Sequence, residues 1–160
     1  MITFNVKNKL IVYNTFVLIQ FMAYGLYFLN VIKFKCFKKV CVAFLLLFPV
    51  IWLVTVKCLF GIYKWNSYIH VAASAFTIIA CSIFFYQLYT DDELVYLSRN
   101  IEFWIAAALF IFYTCNLPYT GMLNYLINNA LPVAENLGYV LRLLNIVMYS
   151  LIFYAFYSGR

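Results

Sequence analysis

Of the 160 residues, 68% are hydrophobic and only 10% are charged. A soluble domain carries about 25% charged residues to stay dissolved, so this composition excludes a water-soluble globule. The net charge of +6 rests on basic residues that stand singly or in one cluster at the ends of apolar runs, which suits topology signals and lipid head groups and offers no polar face for nucleic acid. Divided by the roughly 20 residues of a membrane helix, the length accommodates five spans with short connections. The expected fold is therefore an all-α polytopic bundle forming a single membrane-embedded unit over residues 1–160.

The first span is predicted over residues 10–32, after Lys7 and Lys9 and before Lys33. Its apolar run is too long for the core of a secretory signal and no small-residue cleavage site closes it, so it reads as a retained span. Asn14 and Gln20 interrupt it; either amide is costly against lipid, and both are expected to face other helices. KFKCFKK, residues 33–39, then places four lysines in seven positions with no acid, the strongest topological marker in the chain. The second span, 40–63, carries Pro49, and Lys57 can snorkel to the interface while the helix continues.

The third span, 68–89, sets Ala73, Thr77, Ala80 and Cys81 at helical spacing, making one side narrow enough for close helix packing. The loop after it holds Asp91, Asp92 and Glu93, with Arg99 and Glu102 following. The fourth span is predicted over 103–127. Stopped at Leu117 its 15 residues would reach only about 22 Å, so it is expected to continue as a kinked helix through Pro118, with Asn116, Tyr119 and Thr120 replacing the partner lost by the carbonyl of Thr114. Residues 128–136 read as a polar turn around Pro132, and 137–157 as the last span, with Arg142 near its start and Asn145 further in. The basic residues divide almost evenly between the two sides. The compact lysine cluster therefore sets the orientation, with the N-terminus outside and the C-terminus cytoplasmic.

Enzymatic motifs are scarce. The single histidine, His70, lies near the end of a span, no GxSxG surrounds a serine as a hydrolase triad would need, and paired-imidazole haem ligation within one chain is excluded. His70 reads as an interfacial hydrogen-bonding residue. Five cysteines form no CxxC pair and lie mostly in apolar runs, as packing residues. The cluster Asp91, Asp92, Glu93 suits either a solvated loop or a site for Mg²⁺, and no cofactor or resident metal is expected. Asn14, Gln20, Asn116 and Asn145 suit either packing between helices or the lining of a substrate path. The residues singled out for function are Asp91, Asp92, Glu93, Asn116, Pro118 and Asn145.

Tyr13 and Asn14 near the first helix, Phe103 to Ile105 at the start of the fourth, and Leu144, Asn145 and Tyr149 in the last resemble a family of small, largely uncharacterised multi-pass membrane proteins of Bacteroidota. That resemblance spans nearly the whole chain on motifs of low specificity. Its members commonly have more N-terminal helix, so the chain is expected to be a short form or a fragment, and they are often encoded near sensor histidine kinases. The resemblance implies a non-enzymatic membrane protein that signals to a cytoplasmic partner such as a histidine kinase. The residues alone leave two other classes open: a transporter or channel subunit, working as a homo-oligomer because five thin spans enclose little volume, and a metal-dependent lipid-modifying enzyme.

Overall fold

Apolar runs of this length have one way to satisfy their backbone amides in lipid, which is to coil into helices. A computed structural model, which describes residues 6–60, 67–91 and 100–158, shows that outcome. The helices are α1 (Val6–Val31), α2 (Lys35–Val54), α3 (Ser67–Thr90), α4 (Ile101–Asn129) and α5 (Leu131–Ser158), and a π-helical turn, Thr55–Phe60, extends α2. Five helices are long and apolar enough to cross a membrane, and the described residues contain no strand. The protein is an all-α, multi-pass membrane helical bundle. Asp92, Glu93 and Arg99 of the acidic loop, with Lys64 and residues 61–63 of the second predicted span, lie outside the described residues.

Boundaries differ from expectation in physically informative places. Only residues 32–34 connect α1 to α2, because Lys35, Lys38 and Lys39 already belong to α2. Lysine is a good helix former whose aliphatic stem can lie along the helix while its ammonium reaches the interface, so a run of charge need not be a loop. Past Pro49 the helix continues to Val54 and then widens into the π turn, where the Thr55 hydroxyl donates to the carbonyls of Ile51 at 2.7 Å and Trp52 at 3.0 Å. The fourth helix starts two residues early. The side chain of Asn100 accepts a hydrogen bond from the amide of Phe103 at 3.1 Å, capping the helix, and Glu102 in the first turn suits the positive end of its dipole.

α4 runs unbroken through Pro118 for 29 residues, as the length argument requires. The hydroxyl of Thr120 donates to the carbonyls of Asn116 and Leu117, each at 3.1 Å, instead of serving Thr114. The expected polar turn at 128–136 is almost entirely helical: only Ala130 separates α4 from α5. Its carbonyl accepts from the amides of Val133 and Ala134, and Pro132 sits in the first turn of α5, where a missing N–H leaves nothing unpaired.

The packing divides the chain within α3 into two units, Met1–Ala73 and Ser74–Arg160. In the first, α1 and α2 meet where Gly25 lies against Leu45 and Phe44; a Cβ at Gly25 would stand 2.9 Å from Leu45 Cδ2 and 3.3 Å from Phe44 Cδ1. Phe21 of α1 meets Phe48 of α2 edge-on, and Phe44 stacks on Phe48. In the second unit, α4 and α5 form an antiparallel hairpin with Trp104 against Tyr154, ring centroids 4.9 Å apart, while Phe85 of α3 lies between Phe103 and Phe110 of α4. Few residues of the α5 span are buried by protein compared with α3, which leaves most of α5 for lipid.

The contact at Gly25 sets a size limit. Gly25→Leu is expected to destabilise the protein by about 1–3 kcal/mol through overpacking. Gly25→Ala should stay near wild type, because the flexible side chain of Leu45 can move, Phe44 need give only slightly, and alanine gains about 1 kcal/mol in helix propensity. Thermal unfolding in detergent micelles checks both, and equal midpoints for Gly25→Leu and wild type would remove the close approach.

Candidate functional site

The polar side chains of the described helices fall into two groups. On exposed or partly exposed surfaces they bond back to their own helix: Asn30, Ser82, Thr90, Asn129, Asn145 and Ser150 each donate to the carbonyl four residues earlier. A side chain facing lipid hides its polar atoms this way without a partner helix. Buried polar residues concentrate on α3 instead. Ser67, His70, Ser74, Thr77, Cys81, Phe84 and Gln87 follow one another at spacings of three and four and are all buried, so a single stripe, polar at most positions, runs the length of the helix.

Near the start of that stripe lies a cross-helix junction. His70 Nε2 and the Tyr13 hydroxyl of α1 share a hydrogen bond of 2.6 Å, and the two rings stack with centroids 5.6 Å apart. Phe21, one of the most deeply buried side chains, sets its ring edge-on to the imidazole at 5.6 Å and covers it with apolar surface. The neighbouring residue, Asn14, is also buried, and its carbonyl accepts a hydrogen bond from the indole of Trp52 on α2 at 3.1 Å. Tyr13 and Asn14 thus tie α1 to two other helices within one unit. In an environment of low dielectric such bonds are strong when made and costly when broken, which suits a two-state contact.

The residues singled out from sequence do not assemble around this junction. Asn14 is buried as expected, but Gln20 is half-buried and donates to the hydroxyl of Tyr24 on its own helix at 2.9 Å. Asn116 is buried on α4 one turn before Thr120; Asn145 is half-buried on α5 and bonds to Leu141 of the same helix at 3.0 Å. Pro118 is exposed inside the continuous α4. Asp91 is half-buried at the end of α3, where its amide donates to the carbonyl of Gln87. Among the described residues no three His, Cys, Asp or Glu side chains gather closely enough to hold a metal ion. Cys36, Cys41, Cys81 and Cys115 are free thiols.

Sequence reasoning found Thr77 and Cys81 of the stripe but missed Ser67, Ser74 and Gln87. The signal was present in their three-and-four spacing. It also placed His70 as a hydrogen-bonding residue without its partner, which lies 57 residues away in the chain. No family model, curated protein or solved structure matches the chain.

The junction makes an energetic prediction. In a double-mutant cycle of Tyr13→Phe and His70→Leu, reversible unfolding in mixed micelles should give a coupling of about 0.6–1.7 kcal/mol, the range for hydrogen bonds between membrane helices. Strict additivity would mean that the bond contributes nothing to holding α1 and α3 together.

Proposed function

We propose that the chain is a non-enzymatic inner-membrane protein that registers a stimulus within the bilayer and passes it to a cytoplasmic protein such as a histidine kinase. The observation that carries this reading is the partly buried bond between Tyr13 and His70. With the N-terminus outside, the junction lies in the outer half of the membrane. The same helix delivers its other end to the cytoplasm at Asp91, about 32 Å away at 1.5 Å per residue. Making or breaking the Tyr13 bond rotates or shifts α3 at one face, and a continuous helix carries that displacement to the acidic loop Asp91, Asp92, Glu93 at the other. Carboxylates there suit a basic surface on the partner, and the resemblance through Tyr13 and Asn14 supports the same reading.

Capture from native membranes tests this. Wild-type protein is expected to bring down a kinase, Asp91→Asn/Asp92→Asn/Glu93→Gln to lose most of it, and Tyr13→Phe to retain it while altering its autophosphorylation. A captured kinase whose phosphorylation ignores Tyr13→Phe, or the absence of any kinase, contradicts the reading.

A transporter or channel subunit is the second reading, and Ser74 favours it. Its hydroxyl is fully buried in the α3 stripe with no hydrogen-bond partner among the described residues, where a water molecule or a small polar solute would supply one. On this reading, flux of small polar solutes into liposomes falls in Ser74→Ala; flux indifferent to Ser74 removes it.

A further inference from the structure

Between α4 and α5, toward the end where Ala130 joins them, a groove of about 440 Å³ opens among Tyr119, Leu123 and Ile127 of α4 and Glu135, Tyr139 and Arg142 of α5. We propose that this groove binds a zwitterionic phospholipid of the phosphoethanolamine class, with the phosphate on Arg142 and the ammonium on Glu135.

The depth of each charge along α5 carries the assignment. The helix has 28 residues and is about 42 Å long, against about 30 Å of hydrocarbon, and the polar pair Glu135 and Asn136 near its start, against an apolar far end, assigns the excess to its first turns, in the head-group layer. Glu135 stands about 6 Å from the start of α5, at head-group level, and Arg142 about 16 Å, beneath it. Side chains on a helix lean toward its N-terminus, so the stem of Arg142 rises toward the nearer surface and its charge reaches the lower edge of the head groups. On the way the guanidinium lies 5.1 Å from the centroid of the Tyr139 ring. Stacking uses one face of the guanidinium and leaves its N–H edge available for a bidentate phosphate.

From the membrane core outward the groove therefore presents a cation and then an anion. A lipid head group complements that order when its phosphate lies beneath a primary ammonium. Phosphatidylglycerol has no cation for Glu135, and phosphatidylcholine shields its ammonium with methyl groups that cannot donate to a carboxylate. Leu123 and Ile127 supply apolar wall beside the upper acyl chain, and Gly138 keeps the floor low: a Cβ there would meet only the Tyr119 hydroxyl, at 3.8 Å.

Native mass spectrometry of the full chain in detergent, titrated with phosphatidylethanolamine, phosphatidylglycerol or phosphatidylcholine of identical acyl chains, tests the site. Wild type should retain phosphatidylethanolamine several-fold over the other two, and Arg142→Gln should lower that retention about tenfold, as for a lost hydrogen bond to a charged group. Glu135→Gln, a surface change that leaves packing alone, should abolish the preference for phosphatidylethanolamine over phosphatidylglycerol while phosphatidylglycerol binding holds. Gly138→Leu, which fills the floor and keeps both charges, should block phosphatidylethanolamine at an unchanged melting temperature. Equal retention of the three lipids by wild type, or wild-type selectivity in Glu135→Gln, overturns the proposal.

Discussion

With no water in a hydrocarbon core, a polar group has two outlets: its own helix or another one. Backbone amides take the first, which is why the apolar runs are helices and why α4 continues through Pro118 instead of ending there. Side chains divide between the two. Asn30, Ser82 and Ser150, on exposed surface, return their protons to carbonyls one turn back. Tyr13 and Trp52 reach across, to His70 and to the carbonyl of Asn14. That division converts a composition of 68% hydrophobic residues into helices with distinguishable faces, since apolar side chains alone do not tell a lipid-facing surface from a protein-facing one.

α3 shows the consequence most fully. Ser67, His70, Ser74, Thr77 and Gln87 are buried on one side, while Tyr68, Ile79, Tyr86 and Tyr89 are exposed on the other. Small residues between them, Ala73 and Ala80, let neighbouring backbone approach without a cavity. α3 is one continuous helix, tied near its start by the bond between His70 and Tyr13 and further along by the rings of Phe103 and Phe110 against Phe85. The relay we propose from Tyr13 and His70 toward Asp91 relies on that continuity.

Much of the architecture was legible in the order of residues. Apolar length specified five spans, and the arithmetic of Leu117 against Ile127 required α4 to pass Pro118. Asn14, expected to face other helices, is buried, whereas Gln20, expected to do the same, is only half-buried. What misled was charge and proline treated as loop markers: Lys35, Lys38 and Lys39 lie in α2, and Pro132 lies in the first turn of α5, because a lysine stem and an N-terminal proline are both compatible with a helix. Gln20 and Asn145 show a different gap. Periodicity says where an amide lies on a helix but not whether it will bond to Tyr24 or Leu141 beside it. The pairing of Tyr13 with His70 was beyond reach for a related reason, since a contact between two helices is a tertiary fact that no local pattern encodes.

The opposition of the two faces of α3 is the feature on which the junction, the stripe and the proposed relay all rest, and it is directly measurable. Nitroxide labels placed one at a time along α3 in a lipid bilayer report oxygen accessibility at each position. The arrangement predicts a helical period of about 3.6 residues, with maxima at Tyr68, Ala72, Ile79 and Tyr86 and minima at Ser74, Thr77 and Phe84. A flat profile, or one with Ser74 and Thr77 among the maxima, would contradict it.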